Sequence, residues 1–534
     1  MADLPHTPTT RPHRSWRARR AAVLAALAAT VVFAAGCGGG GGSTGAGGST
    51  AKSDTLVIAN AVNVDTLDPA ANSVNESIWM TQNIYQRLLQ PNANGTDVIP
   101  QLATSWDISD DGLSYTFHLG DHQFSDGSPV TAEDVRYSIE RSIHYEGGWG
   151  FLLEAVKSVE APDPKTVVVT LSRPHAPLLA DLAMYAYAVV PEKLVKAQGA
   201  KDFFQHPIGS GEWMLTQWNK GSDLTFKVNP HWSGAKPKFS TLKIMIVPND
   251  NSRVLLLQNK NADIIENPPG NLINELSANP DLQTFLFPST RVDFIQLDQH
   301  FAPFKDAKVR EALNYAIDRN AIVKLAYSGH ATPGSSFMPY KMQYWNDSLK
   351  PYPYDPAKAK EILSQSGYPN GFKTFLIEVA NDVAGNATAV VIKSDLAKIG
   401  IDVEIKTYEL LTAYGKEDGG NSQMGQRYWT NDIIDPDEVT TFGVDPNGGA
   451  NAFSSYWGDP TATKLVHQAR GELDPAKRQQ MYEQIQQIVY DQTPYLILDY
   501  SPYRYAAGKW VHGFHATPLG NYNLSLETLT VDQH

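Results

Sequence analysis

One cysteine, Cys37, stands among the 534 residues of this chain. No disulfide can close within it, and neither a cysteine-based zinc site nor an iron–sulfur cluster can form, so apolar burial has to hold the fold. The composition supplies that: hydrophobic residues make up 42% and charged residues 19%, the balance of a folded soluble protein and not of a disordered or multi-pass membrane chain. Length points to about three or four domains. The formal charge is −13, and because residues 1–36 carry five arginines against Asp3 alone, the remainder is more acidic still. A polyanion such as DNA or RNA is not an expected partner.

Cys37 itself belongs to a targeting signal. Arg11, Arg14, Arg17, Arg19 and Arg20 are followed by an uncharged run rich in Ala, Val and Leu, from Ala21 to Gly36. That run is short for a membrane-spanning helix and suits the core of a signal peptide, residues 1–36. The small residues Ala34-Ala35-Gly36 before Cys37 resemble a bacterial lipobox, with Ala34 where leucine is usual. The resemblance implies a diacylglycerol on Cys37, export, and attachment at the outer face of the cytoplasmic membrane (the periplasmic side where an outer membrane exists). Residues 37–53 continue as a Gly/Ser tether with nothing to pack. Gly41-Gly42-Ser43-Thr44-Gly45 spells the G-x-S-x-G of hydrolases, but no strand precedes it and no helix follows, so it is a coincidence of composition.

From Asp54 onward the pattern is that of a mixed α/β chain. Thr55 to Ala59 is an apolar strand, Leu67-Asp68-Pro69 a turn, and Leu113 to Leu119 and Thr166 to Leu171 alternate with period two. Thr131-Ala132-Glu133-Asp134 is a capping box opening a helix with Val135, Ile139 and Ile143 on one face. Asp306 precedes the stripe Val309, Leu313, Ala316, Ile317. Asp355-Pro356 and Asp474-Pro475 each set an N-cap before a proline at the first helical position, with Gly367 expected as the C-cap of the former helix. No G-x-x-x-x-G-K-[ST] loop and no H-E-x-x-H motif occurs, and His512 and His515 read as a surface loop. No cofactor, metal or catalytic constellation is expected.

The stretch Ile99 to Arg141, IPQLATSWDISDDGLSYTFHLGDHQFSDGSPVTAEDVRYSIER, resembles the signature of the extracellular solute-binding proteins of family 5. PIGSGEW at Pro207 to Trp213, NPHW at Asn229 to Trp232, PFKDAKVREALNYAIDR at Pro303 to Arg319 and DPAKAKEILSQSGY at Asp355 to Tyr368 extend the resemblance in the expected order. One departure is Glu212, where the family usually has proline. The resemblance implies a two-lobed periplasmic-binding-protein-like fold (type II, with an extra subdomain in the first lobe) and a ligand cleft between the lobes. The implied boundaries are 54–303 for lobe 1, with the inserted subdomain at about 86–204, then 304–499 for lobe 2 and 500–534 for a return to lobe 1. The crossing segments are expected near Val292 to Leu297 and Tyr495 to Tyr500. The implied function is that of a lipid-anchored monomeric receptor, not an enzyme, handing oligopeptides to ABC permease and ATPase subunits.

Within Tyr428-Trp429-Thr430-Asn431-Asp432 the W-x-x-D pattern resembles that of peptide-binding members. There the aspartate meets the ligand's α-ammonium and residues around the Trp meet its backbone, so Asp432, Trp429 and Thr430 are candidate contacts and Asp435 the fallback acid. Arg427 is a candidate fork for a ligand carboxylate, or else a salt bridge of the protein's own. Asn72, Ser73 and Asn75 stand where the family's first lobe offers an extended edge to the ligand. Glu266 and Asn267 stand where a strand end meets the cleft, and Trp149, between glycines, is a candidate lid or a core ring of the subdomain. The same fold also serves oligosaccharides and metal chelates, and an exported hydrolase or a sensor are the readings from other classes.

Overall fold

The structure, a computed structural model, describes residues 53–72, 75–420, 422–520 and 526–534. The signal peptide, Cys37 and the tether lie outside the described residues, as does Ser73. Two large sheets organise the chain. In the first, of seven strands, Thr55–Asn60 lies central and parallel to Thr241–Ile246 on one side and Ile264–Glu266 on the other. Asp223–Val228 and Trp213–Asn219 extend one flank, and Tyr503–Gly508 and Leu282–Phe287 the other, all antiparallel to their neighbours. The second sheet has six strands in the order Thr332–Pro333, Tyr495–Tyr500, Val292–Leu297, Met424–Trp429, Lys373–Val379, Asp402–Tyr408. The last three run parallel to one another.

Between the first and last strands of the larger sheet the chain inserts a four-stranded antiparallel sheet, Ala103–Ile108, Ser114–Leu119, Thr166–Leu171 and Val156–Asp163 in that order. Its alternation is that of a half-buried sheet: in Thr166–Leu171 every second residue, Val167, Val169 and Leu171, is buried. The capping box forms as the residue types require. The Thr131 hydroxyl accepts the Asp134 N–H at 3.4 Å while the Asp134 carboxylate accepts the Thr131 N–H at 3.0 Å. Asp306, Asp355 and Asp474 cap their helices, the last two with proline in the first turn. The C-cap expected at Gly367 is Gln365 instead, because the Gly367 N–H donates to the Asp306 carboxylate at 2.9 Å.

The chain changes sheet twice. Leu282–Phe287 belongs to the first sheet and Val292–Leu297 to the second, so one crossing is residues 288–291; the other is Ser501–Pro502, between Tyr495–Tyr500 and Tyr503–Gly508. Sheet membership therefore puts the two segments expected to cross, Val292–Leu297 and Tyr495–Tyr500, wholly inside the second sheet as antiparallel neighbours. It likewise puts the change of sheet earlier than the 303 boundary. All six residues of each strand are buried, and a strand covered on both faces reads the same in a sheet centre as across a hinge.

The crossings are tied together by polar groups. The Ser289 hydroxyl donates to the Ser501 carbonyl at 2.5 Å, and the Ser501 hydroxyl donates to the Asp293 carboxylate at 2.6 Å. Arg291 grips the same carboxylate at 2.7–3.0 Å and lays its guanidinium over the Tyr428 ring at 3.8 Å. Asp293→Ala leaves this largely buried guanidinium without its anion, and a loss of about 3 kcal/mol is expected in chemical denaturation; a change below about 0.5 kcal/mol would show that the knot carries no stability.

Candidate functional site

The carboxyl ends of parallel strands from both sheets open onto one cleft. Thr55–Asn60 leads to Ala61, Asn63 and Asp65, Ile264–Glu266 to Asn267, Lys373–Val379 to Asn381 and Asp382, and Asp402–Tyr408 to Leu410; all of these line a cavity of about 400 Å³. A crevice at strand carboxyl ends is where open α/β sheets hold ligands, because turns there leave N–H and C=O groups unpaired. Tyr428 and Arg291 form part of its wall. No local motif marks these residues; the topology alone gathers them.

Beyond Trp429 the strand ends and the segment 430–436 begins, held by Glu438, whose carboxylate accepts the N–H groups of Asp432 and Ile433 at 2.8 and 3.1 Å. Asn431 braces the turn, donating to the carbonyls of Ile433 and Asp435 at 2.8 and 2.9 Å. This arrangement delivers the Asp432 side chain to a small cavity of about 20 Å³, shared with Gln82, Arg87, Gln90, Tyr185 and Thr517; Arg87 is engaged instead by the Ala183 carbonyl, to which it donates at 3.0 Å. Burial pushes the Asp432 carboxyl up to about 7 and pushes neighbouring Glu438 well above its usual range, Asp432 adding to the effect. Among the described residues no Lys, Arg or His pairs with either acid.

Two acids close by are each held by an arginine. Asp435 is held by Arg478 at 2.8 and 3.0 Å, which removes it as a fallback ligand group. Asp437 is held by Arg470 at 3.0 Å. Arg427, expected as a fork for a ligand carboxylate, is taken by the protein's own acids: it pairs with Asp418, lies 3.5 Å from Glu417 and donates to the Ser454 hydroxyl at 2.8 Å. The helix Leu410–Asp418 brings those two acids onto the strand.

Trp149 is neither a loose lid nor a ring confined to the subdomain. Its indole N–H donates to the Asn72 carbonyl at 2.9 Å, and its ring stands edge-on to Tyr185 at 6.0 Å and to Phe442 at 5.6 Å. Trp429 also packs on Phe442, at 4.5 Å, so the Phe442 ring joins the two tryptophans, one from the inserted subdomain and one from the second sheet. The Trp429 indole nitrogen is buried with no hydrogen-bond partner among the described residues. The Asn72 carbonyl also accepts from the Tyr185 hydroxyl at 3.0 Å, so it is committed within the protein and does not form the free edge expected of it. Asn75 accepts from the Thr430 hydroxyl at 3.3 Å, placing the first-sheet helix Asn75–Ile84 against the 430–436 segment. Glu266 is buried and accepts the Ala61 N–H at 3.1 Å, bracing the cleft wall beside Asn267. Among the described residues no cluster of three or more His, Asp or Glu could hold a metal. His512 pairs with Asp532 at 2.9 Å on the surface.

The chain matches the model of the bacterial extracellular solute-binding proteins, family 5, over residues 97–451. It is 31% identical over 487 residues to the probable D,D-dipeptide-binding periplasmic protein of Escherichia coli (strain K12), covering 89% of this chain and 94% of that one. It is also 31% identical over 478 residues to the dipeptide-binding protein of the same organism, with 83% and 89% covered. Among solved structures, a periplasmic binding protein of an ABC transporter from Helicobacter pylori, in complex with the peptide STSA, superposes with a TM-score of 0.83 at 29% identity, covering 90% of this chain and 99% of that one. These relatives are binding proteins and not enzymes. The two-sheet architecture and the family match agree, and the chain belongs to family 5 of the bacterial extracellular solute-binding proteins.

Proposed function

We propose that this protein is a monomeric, lipid-anchored receptor that captures oligopeptides by closing its two sheets about residues 288–291 and 501–502 and passes them to an ABC permease driven by separate ATPase subunits. The observation that carries the reading is Asp432: a carboxyl raised to about 7 by burial and held in no ion pair among the described residues, whereas nearby Asp435 and Asp437 are each held by an arginine. Such a group stands ready for a positive charge brought from outside, and a charge-assisted hydrogen bond to an ammonium contributes about 1.5–3 kcal/mol net. Every peptide has an amino end whatever its side chains. The Escherichia coli relative named for dipeptides and the Helicobacter pylori structure holding STSA support a peptide over a neutral sugar.

The sign of the pH dependence follows from the raised pKa. Without ligand Asp432 keeps its proton up to about pH 7, whereas a bound ammonium holds it ionised. Peptide affinity therefore falls about tenfold per unit as pH drops below 7, with a proton released on binding. Asp432→Asn removes both the slope and about 2–5 kcal/mol of affinity in titration calorimetry while leaving the melting temperature unchanged or higher. Asp435→Asn, which strips Arg478 of its partner, lowers stability by about 3 kcal/mol. N-acetylated and free peptides binding wild type equally would contradict the assignment.

The anchor rests on the lipobox-like residues before Cys37 and the tether after it. Cys37→Ser is expected to leave an unprocessed precursor or to free the protein from membranes, read by fractionation and by mass spectrometry of the amino end; normal processing with unchanged retention would overturn the anchor.

A further inference from the structure

A second polar pocket adjoins the Asp432 cavity. Its volume is about 250 Å³, and Gln82, Arg87 and Gln90 border both spaces. Several acceptor oxygens on its walls are buried without a donor among the described residues. Glu212 is only 8% exposed, and its Oε1 is buried without a hydrogen-bond partner among the described residues. Gln86, 3% exposed, and Gln82 each leave a buried Oε1 unpartnered in the same pocket. Glu527 supplies a second carboxylate.

Glu212 is set in place by its backbone. The loop presses so closely on the end of the helix Asn75–Ile84 that a Cβ on Gly209 would lie 2.0 Å from the Ile84 carbonyl oxygen, and one on Gly211 would lie 2.5 Å from that of Asn83. The Gly211 N–H donates to the Ile84 carbonyl at 2.8 Å, the Asn229 side chain donates to the Gly211 carbonyl at 2.8 Å, and the Asn229 N–H donates to the Glu212 carbonyl at 2.9 Å. The Trp213 indole acts on the Glu212 carboxyl as a donor, with less effect than burial or the Glu527 charge. Buried acceptors without donors are costly unless a ligand supplies N–H groups.

We propose that Glu212, with Glu527 beside it, forms a cation subsite that takes the ammonium or guanidinium of a basic side chain on the ligand held at Asp432. This rests on the peptide reading of Asp432 and adds to it a preference that a general receptor would lack. Burial and the nearby Glu527 charge push Glu212 up to about 8, so the unoccupied pocket keeps a proton and a bound cation displaces it. Burial also raises Glu527. The other ionisable groups on the walls are Tyr85, Arg87 and His122. The Tyr85 hydroxyl donates to the Leu67 carbonyl at 3.1 Å, Arg87 donates to the Ala183 carbonyl at 3.0 Å and to Gln101 at 3.5 Å, and burial lowers the His122 pKa, favouring its neutral form.

The test is a series of alanine tripeptides with lysine or norleucine at one position, titrated against wild type, Glu212→Gln and Glu527→Gln. At one position lysine is expected to bind about thirtyfold or more tighter than norleucine, with the preference lost in Glu212→Gln and norleucine affinity unchanged. Glu212→Gln keeps the shape of the protonated acid, so its melting temperature should hold; if it fails to fold, the weakened preference is read in Glu527→Gln. Equal binding of lysine and norleucine at every position, or a preference that survives in both variants, overturns the subsite and leaves the peptide reading standing. If no peptide binds wild type, the peptide reading fails and butylguanidine alone decides the subsite. A rise in melting temperature present in wild type and absent in Glu212→Gln sustains it, and no rise overturns it.

Discussion

The two sheets share only short covalent links, 288–291 and Ser501–Pro502, and these lie side by side because the strands that feed them, Val292–Leu297 and Tyr495–Tyr500, are hydrogen-bonded neighbours. Adjacent crossings leave one soft axis, whereas two distant ones would lock the sheets together. The knot of Ser289, Arg291, Asp293 and Ser501 ties the two crossings to each other. Arg291 then carries the connection into the cleft through its contact with Tyr428. The parallel strands of both sheets end facing the same gap, so in the proposed function closing the sheets and enclosing a ligand are one event.

Charge distribution separates support from function. Asp435 with Arg478 and Asp437 with Arg470 are buried pairs whose partners lie on different elements, and Asp418 reaches Arg427 from the surface; they hold the 430–436 segment and its neighbours in register. Asp432 and Glu438 stand among these pairs without a cation, and Glu212 repeats the pattern in the adjoining pocket. Leaving such acids uncompensated costs stability, which in the proposed function a bound ligand returns. The paired acids and the unpaired ones thus have opposite roles, though all are the same kind of side chain in the same region.

What could be read from the residues was what is local. The Thr131 capping box, the Asp-Pro helix starts and the alternation of Thr166–Leu171 are each decided within a few residues, and each forms. The family resemblance, carried by dense motifs, gave the fold class and pointed to Asp432. The misreadings depend on long-range partners. Asp435 meets an arginine 43 residues away, and Trp149 meets the Asn72 carbonyl 77 residues away. Arg427 is closer to Asp418 in sequence, but only the packing of a helix on the sheet reveals the pair. Glu212 was visible as a departure from the family, yet its unpartnered oxygen and its proximity to Glu527 exist only in the folded chain.

The central claim is that the uncompensated carboxylate at Asp432 is where the ligand's positive end rests. A crystal structure of the protein bound to an alanine tripeptide tests it most directly. The account predicts the peptide's amino nitrogen at about 2.7–2.9 Å from an Asp432 carboxylate oxygen, with the peptide enclosed between the two sheets. A peptide whose amino end sits elsewhere, with Asp432 still unpaired, would contradict it.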